Sequence, residues 1–315
     1  MMRWVRSVTL GLLALTLLAS QAQAAAFNPK QVPADAKWVL HVDVDAVKES
    51  SAGKLLLKEL DKREDFQQGI TNFQVWAGVK LPEDLHDVTL YGKAFDGSAV
   101  VVLIRGTVDP VKITNLLQMV SGYSSTKHGQ HEVYAWQDKG KQLYGSLEGS
   151  TLVVTRGSQE NMAAALDLLD GKGESMKADA AIASGAGVLA YVAADGLSQL
   201  KQAKTPLVSQ AEAAWLSLRE QAEQLVLNAA VTAKTPQFAE QMRVSLEGIK
   251  AMVTLAASNE NADLKAKAAA TVLQTLTAKS QDKTLNLECR ISLDLIRNLI
   301  QNAQAATPAE PKPAQ

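Results

Sequence analysis

The feature that most constrains the fold of this chain is a series of short strand patterns joined by hairpin turn signals. Lys37 to Val44 (KWVLHVDV) alternates polar and apolar residues with the period of two that is typical of a half-buried strand. Ala99 to Arg105 (AVVVLIR) is almost continuously apolar, which favours a central strand. Asp96-Gly97 separates this run from a predicted strand at Val88 to Phe95 and is a strong hairpin signal. We therefore predict an α+β fold with largely antiparallel sheets covered by helices.

Helices are predicted where apolar residues recur with helical spacing. Asp109-Pro110 is a typical helix start, with aspartate as the N-cap and proline in the first turn. A predicted strand at Gly187 to Ala193 is followed by helix-forming sequence to about Gln221. Two long alanine-rich helices are predicted, at about Gln237 to Ala257 and Ala262 to Lys279, and the first carries one apolar stripe: Phe238, Met242, Leu246, Ile249 and Val253. We expect this stripe to pack on the chain's own sheet, although it could also dock a partner helix or a lipid surface.

The predicted organisation has five segments, two of which are related αβ lobes. They are a signal peptide (1–24), a lead-in (25–36), a first lobe (37–175), a second lobe with two long helices (184–304) and a disordered tail (305–315). WVLHVDVDAV (38–47) aligns with VLAYVAADGL (188–197), which sets Asp45 on Asp195. This alignment favours an internal duplication, and a shared alternation of strands and helices is the alternative.

The first 24 residues predict export. Arg3 and Arg6 precede an apolar run from Val8 to Leu18, and Ala22-Gln23-Ala24 provides the small residues that signal peptidase requires. The run is shorter than the roughly 20 residues of a membrane-spanning helix. We expect a soluble periplasmic or extracellular protein with no integral membrane segment in the mature chain.

Charge and cysteine content narrow the possible partners. The formal net charge is −1, and lysine and arginine are scattered, which argues against a nucleic-acid partner. The single cysteine, Cys289, excludes an internal disulfide. It falls on the same strand face as Leu285 and Leu287, so we expect a buried core residue. A nucleophile or an intermolecular bridge is the alternative.

One candidate site is formed by His41, Asp43 and Asp45, which occupy alternate positions at the first strand. A histidine and two carboxylates could bind a divalent metal or perform acid–base chemistry. The interpretation we prefer is structural: His41 and Asp43 lie on a solvated strand face, and Asp45 caps the next helix. At the aligned positions of the second lobe only the aspartate recurs, which favours the capping role.

A second candidate is the H-x2-H pair of His128 and His131, which could chelate a metal with ligands from elsewhere in the chain. The glycine between them favours surface histidines in a hairpin loop. The sequence has no nucleophile elbow, H-E-x-x-H motif or P-loop. We assign no catalytic residue, no cofactor and no metal site, and keep these five residues as candidates only.

The segment from Pro33 to Leu60 (PADAKWVLHVDVDAVKESSAGKLLLKEL) resembles the opening of a loose group of exported bacterial proteins of unknown function. The start of these proteins has a proline, a few residues, VLHVD and a helix, and their second half has diverged. The strand at Leu225 to Val231, the two helices and the strand–helix ending are similar to that group as well. The resemblance implies an exported two-lobed α+β protein and brings no activity or catalytic residue with it.

These observations lead to a functional expectation with two alternatives. We expect a non-enzymatic binding or interaction protein of the cell envelope, whose unknown protein or small-molecule ligand binds between the two lobes. One alternative is a metal-dependent hydrolase that uses His41 and Asp43. The other is an envelope structural protein that acts through helix–helix contacts.

Overall fold

The computed structural model describes residues 26–77, 79–185, 187–200, 209–259, 262 and 264–305. The predicted signal peptide and positions 306–315 of the predicted tail lie outside these residues. Within them, no helix combines the length and the apolar character that crossing a bilayer would require.

The fold is built on one sheet of twelve strands, in which each strand pairs antiparallel with its neighbours. The α+β class and the antiparallel pairing predicted from the sequence are therefore confirmed. The order across the sheet is β11-β12-β10-β9-β8-β1-β2-β3-β7-β6-β5-β4. The strands are β1 (Trp38–Asp43), β2 (Leu85–Gly92), β3 (Val100–Gly106), β4 (Ser124–His128), β5 (His131–Asp138), β6 (Lys141–Glu148), β7 (Thr151–Arg156), β8 (Val188–Asp195), β9 (Ala211–Gln221), β10 (Gln224–Ala233), β11 (Thr277–Gln281) and β12 (Thr284–Ser292).

The helices lie between these strands. They are α1 (Val44–Glu49), α2 (Ser51–Leu60), α3 (Glu64–Ala77), α4 (Pro110–Gln118), α5 (Gln159–Leu169), α6 (Ala180–Ala183), α7 (Pro236–Ala257), α8 (Leu264–Thr275) and α9 (Leu293–Ala305). The predicted cap of α4 is confirmed, because a carboxylate oxygen of Asp109 accepts hydrogen bonds from the backbone N–H groups of Val111 and Lys112 at 3.0 and 3.2 Å.

Three local predictions are wrong. The stretch before Gln221, predicted as helix, contains the eleven-residue strand β9. Lys279, predicted to end the second long helix, lies in β11, and β4 is a strand where we predicted none. Alanine, glutamate and leucine in β9 favour a helix intrinsically, but pairing with β8 and β10 on both sides overrides that weak preference.

The two faces of the sheet carry separate cores. We call the side with Val39, His41 and Asp43 face A, and the side with Trp38 and Leu40 face B. On face A, α5 packs on the central strands together with the lead-in, whose buried residues are Phe27 and Val32. On face B, α7 packs against the end of the sheet formed by β10 and β12. Each face of the sheet therefore carries a covering layer, so a polar strand residue that lies beneath such a layer is buried.

Candidate functional site

His41 and Asp43 are buried, so the expectation that they lie on a solvated strand face is wrong. Their exposed fractions are 2% and 3%. The ring of Phe27 lies 5.3 Å from the imidazole of His41 and 5.2 Å from the ring of Tyr191, so the lead-in covers this part of face A. Alternation along β1 identifies two faces correctly, but it does not identify which one is buried, because the lead-in that covers face A lies outside the strand.

His41 is held by the strand beside it. Its Nδ1 atom lies 2.8 Å from the hydroxyl oxygen of Thr89, which is its direct partner in the β1–β2 ladder and is also buried. A buried imidazole with a hydroxyl partner is a satisfied core group. This contact fixes the orientation of the ring within face A.

Asp43, and not Asp45, caps the first helix. An oxygen of Asp43 accepts a hydrogen bond from the backbone N–H of Ala46 at 2.8 Å, so α1 begins two residues earlier than predicted. Burial raises the pKa of Asp43, although the capping hydrogen bond opposes this. The prediction that Asp45 is the cap is therefore wrong.

Asp45 lies in the first turn of α1 and pairs with two basic side chains. Its carboxylate lies 2.7 Å from Nζ of Lys48 and 2.9 Å from Nδ1 of His86. Partial burial disfavours its charged form, but the hydrogen bonds from Lys48 and His86 outweigh this and lower the pKa of Asp45. The side chain is therefore directed at these partners, while the carboxylate of Asp43 binds a helix amide.

A row of charged residues crosses face A next to these groups. Asp43 is the direct ladder partner of Asp87, and Asp87 is in turn the partner of Arg105 on β3. Nε of Arg105 donates a hydrogen bond to Asp87 at 2.5 Å. Burial raises the pKa of Asp87, while the hydrogen bond and charge of Arg105 act in the opposite direction. Arg105 therefore pairs directly with Asp87 and acts on Asp43 only through its charge, which favours the ionised form of that carboxyl.

His128 and His131 both pair with carboxylates. The expectation of surface histidines in a loop is wrong for His131, which lies on β5 and is 6% exposed. Its two ring nitrogens lie 2.7 Å from Glu148 and 3.0 Å from Asp170. His128 ends β4, and its Nε2 atom lies 3.0 Å from Asp167. Among the described residues, no group of three histidine, cysteine, aspartate or glutamate side chains is arranged to hold a metal ion.

Cys289 is buried in β12, as the alternating pattern predicted. Its sulfur lies 3.3 Å from the hydroxyl oxygen of Thr275, at the end of α8. It also contacts the carbonyl oxygen of Val272 at 3.7 Å. The thiol is therefore part of the packing between α8 and the sheet.

The most distinctive cavity lies where sequence analysis predicted only helix packing. It is an apolar pocket of about 290 Å³ between α7 and face B. The residues that line it are Leu197, Ala211, Ala214, Val231, Met242, Ser245, Leu246, Ile249, Leu285 and Leu287. Only Ser245 has a polar side chain. We refer to this cavity as the α7 pocket.

The geometry of α7 explains why the pocket exists. Three residues of the predicted apolar stripe, Met242, Leu246 and Ile249, face the sheet across the pocket. The floor includes Ala211 and Ala214, whose small side chains leave space beneath the helix. The stripe was visible in the sequence, but the alanine floor was hidden because β9 was predicted as helix.

A second crevice, of about 230 Å³, lies at the ends of β1, β8 and β9. Its walls include Trp38 of the predicted first lobe and Tyr191 and Trp215 of the predicted second lobe. Lys37 and Asp195 stand at this crevice with their charged atoms 3.7 Å apart. The crevice mixes aromatic, aliphatic and charged groups, so it favours no single class of ligand.

Comparison with known proteins finds solved structures of low similarity to this chain. No protein-family model and no curated protein matches the sequence. Structures of TP0453 in crystal forms III, I and IV are similar to this chain, with TM-scores of 0.48, 0.45 and 0.49. Sequence identity is 12%, 13% and 12%, over 89%, 89% and 88% of this chain and 100%, 99% and 98% of the TP0453 chains.

Proposed function

We propose that this protein is a non-enzymatic binding protein of the cell envelope that takes an apolar small molecule into the α7 pocket. The observation that carries the proposal is the wall of the pocket, in which nine of the ten lining residues are apolar. A wall of this kind offers water few hydrogen bonds, so an apolar ligand displaces that water at little cost.

The size of the pocket narrows the class of ligand. Its volume of about 290 Å³ is about twice that of the ~150 Å³ engineered cavity that holds benzene. An aliphatic chain of medium length matches both this volume and the apolar lining. Each buried CH₂ group contributes roughly 0.8 kcal/mol, so a medium-length chain reaches useful affinity without any polar contact.

The roles of the candidate side chains support a non-enzymatic function. Asp43 binds a helix amide, Asp45 binds Lys48 and His86, and His41 contacts Thr89. These contacts stabilise the fold and lie outside the α7 pocket. The metal-dependent hydrolase alternative would require His41 and Asp43 to turn toward a common ion.

Export remains part of the proposal, because residues 1–24 combine two charged residues, an apolar run and small residues at the end.

We also propose the internal duplication. The order β1-β2-β3-β7 on one side of the sheet centre corresponds to β8-β9-β10-β12 on the other. The alignment of the two lobes sets His41 on Tyr191, and these two residues are direct ladder partners. If a two-fold rotation exchanges β1 with β8, its axis passes between one pair of equivalent residues that face each other in the ladder. The pairing of His41 with Tyr191 fits this arrangement and supports the duplication.

The test of the binding function is calorimetric titration with 1-decanol of the wild type and two variants of α7. Ser245→Trp places a large ring at a residue that lines the pocket, whereas Val244→Trp places the same ring at an adjacent position that is outside the lining and 55% exposed. We expect binding with a negative heat-capacity change for the wild type and Val244→Trp, and loss of binding for Ser245→Trp. Equal binding by all three proteins, or binding by none, would contradict the proposal.

A second candidate function is helix–helix association in an envelope structure. The outer side of α7 exposes large apolar side chains, including Val244, Met252 and Leu255. Exposed apolar groups on one helix face are typical of contact surfaces. Sedimentation at increasing protein concentration distinguishes this alternative, since it predicts a rising mass, which a Met252→Glu and Leu255→Glu variant abolishes.

A further inference from the structure

We propose that His131 is a pH-sensitive clasp that holds the β4–β5 hairpin to the end of α5. The imidazole is buried, and each of its nitrogens faces a carboxylate from a different element. Nδ1 lies 2.7 Å from an oxygen of Glu148 on β6. Nε2 lies 3.0 Å from an oxygen of Asp170, the C-cap residue that directly follows α5.

The number of protons on the ring decides how strong this clasp is. A neutral imidazole has one N–H group and can donate to only one of the two carboxylates, so its other nitrogen would face a carboxylate with lone pairs on both atoms. The imidazolium donates to both. The geometry therefore matches the charged ring. The hydrogen bond to Asp170, followed by that to Glu148, raises the pKa of His131 against the effect of burial.

The surrounding charges reinforce this contact. His128 pairs with Asp167 at 3.0 Å, so two histidines three residues apart on the hairpin meet two aspartates three residues apart at the end of α5. Nζ of Lys172 lies 3.0 Å from Asp170 and 3.5 Å from Asp167. The hydroxyl of Ser146 contacts the carboxylate of the glutamate that binds His131. The charged groups facing the ring are thus two carboxylates, with a lysine and a second histidine beside them.

The β4–β5 hairpin lies at the edge of the sheet, so the contacts of His131 affect how firmly that edge is held. β4 is an edge strand, and β5 is its sheet neighbour. Below the ordinary histidine pKa of 6.5 the ring is charged in both folded and unfolded chains, and the full stabilisation is present. As the pH rises through the higher pKa of the folded state, the ring loses its proton and this stabilisation is lost. The edge hairpin then opens more readily from α5.

Backbone hydrogen exchange of residues 124–135 tests this inference, at about pH 5 and about pH 8.5 and with correction for intrinsic exchange rates. In the wild type we expect protection of the hairpin to fall about tenfold at the higher pH, as expected for loss of a charge-assisted hydrogen bond. Asp170→Asn should lower protection at the lower pH and remove most of the pH dependence. His86→Gln, which alters a histidine–aspartate pair elsewhere, should leave hairpin protection at the wild-type level.

An NMR titration of the histidine side chains provides an independent readout without any substitution. The ring of His131 should titrate above the ordinary histidine pKa of 6.5, because its two nitrogens face Glu148 and Asp170. The inference is overturned if His131 titrates at the ordinary value or below it. It is also overturned if hairpin protection in the wild type does not depend on pH, or if His86→Gln changes it as much as Asp170→Asn does.

Discussion

Replacing Asp43 separates its two roles, that of a helix cap and that of a buried charge. Asparagine caps helices about as well as aspartate, so Asp43→Asn keeps the hydrogen bond to the N–H of Ala46 and removes the charge. Asp43→Ala removes both. Asp109 is the matched control, because it caps α4 in the same way at an exposed position.

The structure sets the expected magnitudes. Loss of a cap costs about 1 kcal/mol of unfolding free energy, so Asp109→Ala should lose this amount while Asp109→Asn loses almost none. Asp43 also lies directly opposite Asp87, and like charges at such positions destabilise by roughly 0.2–1 kcal/mol. Asp43→Asn should therefore gain roughly 0.2–1 kcal/mol near pH 7. Asp43→Ala should lose less than Asp109→Ala.

The sign of the pH dependence follows from the raised pKa of Asp43. Below its ordinary value of 3.8 the carboxyl is protonated in both the folded and unfolded chains, so the charge costs nothing. As the pH rises above this value toward the folded pKa, the folded chain becomes less stable relative to the unfolded chain. The advantage of Asp43→Asn should therefore be absent in acid and fully present at neutral pH.

Urea denaturation from about pH 3 to about pH 8 measures these differences. The reasoning is refuted if Asp43→Asn is less stable than the wild type at neutral pH while Asp109→Asn is not. It is also refuted if the difference between Asp43→Asn and the wild type is the same at every pH.

Two further substitutions test the packing. An ideal Cβ at Gly53 would lie 1.8 Å from the carbonyl oxygen of Val47, so Gly53→Ala should lower the unfolding free energy by about 1–3 kcal/mol or more in urea denaturation. Gly69 in α3 has open space around it, so Gly69→Ala should raise this free energy by about 0.5–1 kcal/mol, and equal effects at the two sites would contradict the packing. Cys289 should react with an aromatic disulfide reagent in denaturant and be protected in the native protein, whereas rapid native labelling would contradict its burial.

Elements with strong local signals could be predicted from the sequence. Asp109 followed by proline identified the start of α4, and β3 (Val100–Gly106) lies within one residue at each end of the strand predicted from Ala99 to Arg105. In both cases the signal resides in neighbouring residues, a cap in the first and a run of β-branched side chains in the second. The strand that contains Cys289 was predicted for the same reason, by its period of two.

Features that depend on distant parts of the chain could not be predicted. Burial of His41 depends on Phe27 in the lead-in, which no pattern within β1 reveals. The strand β9 is rich in helix-forming residues and is fixed by its pairing with β8 and β10. The α7 pocket was hidden by the second of these errors, since its floor includes the alanines of β9 beneath a helix predicted more than twenty residues away. The partners of His131 lie on β6 and at the end of α5, so its charge state was equally hidden.

The α7 pocket is tested most directly by methyl NMR of methionine-labelled protein during titration with 1-decanol. Met242 lines the pocket and is 8% exposed, whereas Met252 lies on the outer side of the same helix and is 64% exposed. The account predicts a saturable shift of the Met242 methyl signal while the Met252 signal stays in place. A shift of Met252 with no change at Met242 would show that the alcohol binds the surface of the helix, and would contradict the pocket as the binding site.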